Sequence, residues 1–154
     1  MDRMVHTVEL TALVHATEDE SKVRRAVLNL LPPDVYPPAF EAVKLKGYYG
    51  DPITVLKLNV KHRQQATELL EHIIKRLSSL DVTSLLDGLA QHIDESRNLY
   101  MRLDKQKAYT SKVVLERHDS IRVKARLRLP HKAEHLELIR TYIAVSYTHL
   151  TLPT

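Results

Sequence analysis

The chain has 154 residues, 44% apolar and 27% charged, proportions that belong to a folded globular protein and exclude a disordered one. It has no cysteine, which excludes disulfides, thiolate catalysis and cysteine-ligated zinc. No apolar run approaches the roughly 20 residues that a bilayer-spanning helix needs, so no membrane association is expected. The formal net charge of +4 is unevenly spread: residues 1–93 hold 11 Lys+Arg against 12 Asp+Glu, residues 94–128 hold 10 against 5, and residues 129–154 hold 2 of each. The positive balance therefore lies in one segment, which implies a localised basic patch if that segment forms one surface. The opening MDRMVHTVEL lacks the basic start and apolar core of a secretory signal, and a cytoplasmic protein is expected.

Residues 4–15 alternate and are rich in β-branched side chains, which predicts a first strand. Thr17 and Glu20 have the spacing of a capping box, and Val23, Ala26, Val27 and Leu30 follow at helical spacing as far as Pro32 and Pro33. Leu31–Pro38 reads as a connection. Phe40–Lys46 and Ile53–Val60 read as two strands joined by GYYGDP (47–52), where two glycines suit a hairpin loop needing positive φ. Gln65–Leu80 is a helix with Ala66, Leu69, Leu70, Ile73, Ile74 and Leu77 on one face. Asp81 is placed to cap a further helix burying Val82, Leu85, Leu86, Leu89 and Ile93. Leu99–Leu103 returns to strand, Asp104–Tyr109 is a short helical or turn segment, and Val113–Glu116 and Ile121–Leu129 are predicted to pair around a turn. His131–Ile143 is compatible with a terminal helix.

The predicted order β-α-β-β-α-α-β-β-β has short, hairpin-like connections. It implies an α+β fold, a mainly antiparallel sheet with helices packed on one face and the other face open to solvent. A single domain over residues 1–143 is expected. AVSYTHLTLPT (144–154) is Thr-rich and free of Lys, Arg, Asp and Glu; it resembles a translated adapter read-through and is expected to be a non-native tail.

The most informative stretch is IRVKARLRL, residues 121–129, where basic Arg122, Lys124, Arg126 and Arg128 alternate with apolar residues. Same-face neighbours on a strand stand roughly 7 Å apart. That is about twice the ~3.4 Å spacing of phosphates along one strand of a duplex, so these side chains suit a polyanion. The plainer alternatives are a solvated strand face or an edge kept charged against aggregation. LYMRLDKQKAY (99–109) adds Tyr100, Arg102 and Lys105; arginine supplies a planar fork for phosphate and tyrosine a ring for stacking on a base. Tyr48 in GYYGDP is a second candidate for stacking, against the alternative that it packs on the sheet. Glu18, Asp19, Asp94, Glu95 and Asp104 form no compact acidic motif for a metal-dependent nuclease. The nine histidines are scattered, and no phosphate-binding loop or dinucleotide fingerprint is present. No catalytic residue, metal or cofactor is expected.

VHATEDESKV (14–23), KGYYGDPITVLK (46–57), DESRNLYMRLDKQKAY (94–109) and the closing basic strand together resemble a family of small archaeal proteins described as RNA-binding and as predicted exosome-associated subunits. The resemblance implies a fold like that of the large-subunit ribosomal protein that carries 5S ribosomal RNA. It also implies RNA and exosome subunits as partners. The motif positions it carries over are Thr17, Glu18, Asp19, Gly47, Tyr48, Gly50, Asp94, Asn98, Tyr100, Arg102, Asp104, Lys105 and Gln106. The chain departs from the expected pattern at Lys107 and Thr110, where Ala and Gly are anticipated. The resulting expectation is a non-catalytic RNA-binding protein that contacts RNA through Arg122, Lys124, Arg126, Arg128, Arg102, Lys105, Tyr100 and Tyr48. The alternatives are a protein–protein adaptor of an RNA-processing complex or a metal-dependent nuclease.

Overall fold

In the computed structural model, which describes residues 4–47, 50–129 and 135–151, alternation in the sequence becomes a sheet with one covered and one bare face. Strand β1 (Val5–Val14) buries Val8, Leu10, Ala12 and Val14 and turns Thr7, Glu9 and Thr11 the other way. It lies at the centre. On one side stand β3 (Pro52–Val60) and then β2 (Glu41–Lys46); on the other stand β5 (Ser120–Leu127) and then β4 (Asn98–Asp104). Every neighbouring pair is antiparallel, giving five strands in the order β2-β3-β1-β5-β4. The expected α+β architecture is therefore the one observed.

Helices α1 (Glu20–Leu28), α2 (Arg63–Arg76), α3 (Ser79–Asp87), α4 (Lys105–Tyr109) and α5 (His135–Thr151) complete the chain. Helix α2 packs on β1 and β3 through Leu69, Leu70, Ile73 and Ile74, which are fully buried beside Leu10, Leu56 and Leu58. Each such side chain contributes about 1.5–3 kcal/mol by leaving water, so this layer carries much of the stability. Helix α1 leans on β1 and α4, and α5 covers α2 with Ile139, Tyr142 and Ile143 buried. The Tyr142 hydroxyl donates to Glu71 Oε2 at 2.9 Å.

Several boundaries differ from the sequence expectation, each for a local reason. The N-cap of α1 is Asp19, whose carboxylate accepts from the Ser21 amide at 2.9 Å; Thr17 lies outside the helix. Helix α2 stops at Arg76, and Ser78 caps α3 by accepting from the Asp81 amide at 3.1 Å. Asp81 instead accepts from the Leu115 amide at 3.0 Å. Leu89 falls in a 3₁₀ turn (Leu89–His92), and Ile93 has left the helix to bridge Leu99. Val113–Glu116 does not pair with the basic strand. It runs along the outside of β4, where the Asp104 amide donates to Val114 O at 2.8 Å and the Glu116 amide to Arg102 O at 2.9 Å. The basic strand β5 is thus an interior strand of the sheet, not a charged edge. Helix α5 runs through Thr151, so residues expected to be a tail continue it, with Ser146 buried. The expected helix start at His131 lies outside the described residues.

Candidate nucleic-acid interface

The register of the sheet arranges the uncovered face in rows that cross the strands. Opposed residues of an antiparallel pair project to the same side. Arg122 stands between Thr11 on β1 and Arg102 on β4; Lys124 stands between Glu9 and Tyr100; Arg126 stands between Thr7 and Asn98. The expected residues Arg102, Arg122, Lys124, Arg126 and Tyr100 therefore meet on one face of β4 and β5. Arg128 follows just past the end of β5 and is exposed.

Arg102 and Arg122 are directly opposed like charges, an arrangement that costs stability unless something offsets it. Two neighbours do so. Arg122 Nη2 lies 3.5 Å from Glu9 Oε1, and its Cζ is 5.6 Å from the centroid of the Tyr100 ring, within cation–π range. The Tyr100 hydroxyl donates to Asp94 Oδ2 at 2.9 Å, so the ring is held in place from its far end. Desolvation, that hydrogen bond and the Asp94 charge push the Tyr100 phenol up from its ordinary value. Partial desolvation raises the Asp94 carboxyl, but hydrogen bonds from the Asn98 side chain and amide, the Tyr100 hydroxyl and the Ser96 amide outweigh it and hold the pKa below the ordinary 3.8. The Asp94-to-Asn98 stretch of the family-like motif is thus a clasp that fixes Tyr100.

Lys105, expected on the RNA-contacting surface, is instead buried at 4% exposure. Its Nζ donates to Leu13 O at 2.9 Å, Glu18 Oε1 at 2.9 Å and Asp119 Oδ1 at 2.8 Å. An ammonium with three short acceptors is satisfied and screened from any phosphate. Burial raises the Asp119 carboxyl, but the bond and charge of Lys105, helped by His15, leave its pKa below the ordinary 3.8. His15, Glu18 and Asp119 bring ligand atoms within 4.8 Å of one another, the spacing of a cation site. The lysine ammonium sits against both carboxylates and already supplies that cation.

Two further acidic candidates are similarly committed. Asp104 caps α4 by accepting from the Lys107 amide at 2.9 Å, and Asp19 caps α1. Tyr48 lies outside the described residues. Of its flanking glycines, Gly50 has φ +83, and a Cβ on Gly47 would meet Asp51 O at 3.0 Å. The left-handed residue after α4 is Ser111, φ 63, so Thr110 keeps an ordinary backbone where a glycine was anticipated. Sequence reasoning missed Glu9, because only the β1–β5 register sets it beside Arg122 and Lys124. It also missed Arg97, whose closeness to Arg126 and Arg128 depends on the turn before β4.

The chain is thus an α+β domain of the open-faced antiparallel-sheet class, with cations and a clasped tyrosine on the uncovered face. A model for a family described as RNA binding matches residues 7–127, and the chain belongs to that family. An RNA-binding protein of Pyrococcus abyssi is 35% identical over 133 residues, covering 84% of this chain and 86% of that protein. Among solved structures, a protein of Archaeglobus fulgidus is 30% identical and superimposes with a TM-score of 0.78, covering 89% of this chain and 98% of that one. A protein of Methanothermobacter thermautotrophicus is 34% identical with a TM-score of 0.73, covering 91% of this chain and 98% of that one. No helix among the described residues is long and apolar enough to cross a membrane.

Proposed function

We propose that the protein is a non-catalytic RNA-binding factor that holds RNA on the bare face of β4 and β5 and acts as an accessory subunit in archaeal RNA processing or degradation, in company with the exosome. The observation that carries this reading is the cross-strand cluster of Arg102, Arg122, Lys124 and Arg126 on a face that no helix covers among the described residues. These side chains track phosphates, Arg128 extends the track, and Tyr100 offers the free side of its ring to a base. Recognition is by shape and charge, of single-stranded or structured RNA. On this view the open sheet is the counterpart of the RNA-contacting face in the 5S-RNA-binding ribosomal protein. Lys105 has no part in the contact. Catalysis is set aside because Asp19, Asp94, Asp104, Glu18 and Asp119 each hold a structural hydrogen bond or ion pair.

A second reading, an adaptor that docks a protein partner, draws on a different corner. Leu13, Val43 and Leu45 are exposed apolar residues on the same face, and β2 is an uncovered edge. A mobility-shift assay on short RNAs, at two salt concentrations and with or without Mg²⁺, separates the readings. RNA binding predicts a complex weakened by salt, indifferent to Mg²⁺ and free of cleavage. A partner protein retained after nuclease treatment, with no shift of RNA at low salt, favours the adaptor. Mg²⁺-dependent cleavage overturns both.

A further inference from the structure

Beyond the row of Lys124 and Arg122, the bare face ends in a recess of about 270 Å³ lined by His6, Arg97, Arg126, Leu127, Arg128 and Leu129. Two separate segments supply its arginines and a third supplies His6, and backbone geometry places each. Arg97 is held at φ 67, a conformation that residues other than glycine seldom adopt. Asp94 secures it: its carboxylate accepts from the Ser96 and Asn98 amides, both at 2.9 Å, and its carbonyl accepts from the Arg97 amide at 3.2 Å. Arg97 O then accepts from the Leu127 amide at 3.0 Å, which ties the loop to the end of β5. His6 sits where the β1–β5 register slips by one residue, between Val5 facing Leu127 and Thr7 facing Arg126. Such bulges re-aim a side chain. The Arg128 amide donates to Met4 O at 2.6 Å, so the chain past the strand is pinned as well.

Among the described residues, none of Arg97, Arg126 and Arg128 has a carboxylate within salt-bridge distance, whereas Arg122 has Glu9. Three unneutralised guanidiniums around one recess repel one another, and each offers the planar fork that matches phosphate oxygens. The arrangement calls for more negative charge than one phosphodiester carries. A phosphomonoester supplies it, since its second proton leaves with a pKa of about 6. We propose that the recess binds the terminal phosphate of an RNA strand. The proposal rests on the RNA-binding reading and adds polarity to it. Arg126 belongs to both the recess and the phosphate track, so an anchored end leads directly onto Lys124, roughly 7 Å along the strand.

The test is fluorescence anisotropy with a single-stranded RNA in three forms: 5′-phosphorylated, 3′-phosphorylated, and hydroxyl at both ends. One phosphorylated form should bind about tenfold more tightly than the hydroxyl-ended form, the gain of one or two charge-assisted hydrogen bonds; which form does so identifies the end. Arg97→Asn keeps a side chain that tolerates positive φ. It should abolish that advantage while hydroxyl-ended binding changes by less than about twofold. His6→Asn, outside the loop, should reduce the same advantage independently. Equal affinity for all three forms, or a preference that survives both variants, overturns the terminal-phosphate site and leaves backbone tracking standing. No binding of any form at low salt overturns the RNA-binding reading together with it.

Discussion

Lys105 and Lys124 belong to the same basic segment, yet the fold puts them to opposite uses. Lys124 stands on the bare sheet face in a row with Tyr100 and Glu9. Lys105 is sealed at the junction of β1, α4 and the start of β5, with a carbonyl and two carboxylates around its Nζ. The difference teaches that a positive balance along the chain is not yet a positive surface. What decides is which acidic residues the topology delivers to each cation. Glu18 arrives from a distant part of the chain and Asp119 from the turn before β5 to neutralise Lys105, whereas the three arginines at the end of β5 and its neighbouring loop receive no such partner among the described residues.

The comparison is broken most readily by neutralising the exposed region. Arg122→Gln, Lys124→Gln and Arg126→Gln together place no new negative charge beside Glu9. They should lower RNA affinity roughly a hundredfold at moderate salt while leaving the melting temperature nearly unchanged, as gel shift and calorimetry would record. The reverse pattern is expected for Lys105→Ala. It strands Glu18, Asp119 and the Leu13 carbonyl, and after discounting for their partial exposure it should cost about 2–3 kcal/mol, visible as a fall of roughly 6–10 °C in melting temperature. RNA affinity of the folded fraction should stay within about twofold. Were Lys105→Ala to abolish binding without loss of stability, the two lysines would not differ as described.

Glu9→Gln sharpens the contrast from the other side. Removing the carboxylate paired with Arg122 frees that guanidinium and should raise RNA affinity about threefold, chiefly at low salt. The smallest effect is on pH. Asp94 and Asp119 ionise more readily folded than unfolded, so their stabilisation is fully present above the ordinary 3.8 and is lost as pH falls through their lower folded values. An acid titration of stability should therefore be flat above about pH 5 and decline below pH 4. The Lys105→Ala variant should show a smaller decline, because Asp119 then lacks its main partner.

The sheet was legible because alternation in β1, β3 and β5 is regular and because GYYGDP marks the hairpin. The place of β5 between β1 and β4 was not. Val113–Glu116 has strand-like residues next to β5 in sequence, yet it satisfies the outer edge of β4, and no local pattern records that choice. Helix starts were misplaced at Thr17 and Asp81 because several capping side chains stand close together, and Asp19 and Ser78 make the bonds. The alternation of IRVKARLRL was enough to find Arg122, Lys124 and Arg126. Burial of Lys105 could not be read locally, since its acceptors lie 87 and 92 residues away and across a turn at Asp119. The same holds for Arg97, brought to the face by a left-handed turn that nothing but the Asp94 clasp explains.

The central claim is that the exposed row on β4 and β5 neutralises phosphates. The most direct measurement is the dependence of RNA affinity on salt for the wild-type protein beside the Arg122, Lys124 and Arg126 glutamine variant. The log–log slope should be about −3 to −4 for the wild type and shallower by about 2 in the variant. Equal slopes for the two proteins, or an affinity that does not respond to salt, would contradict it.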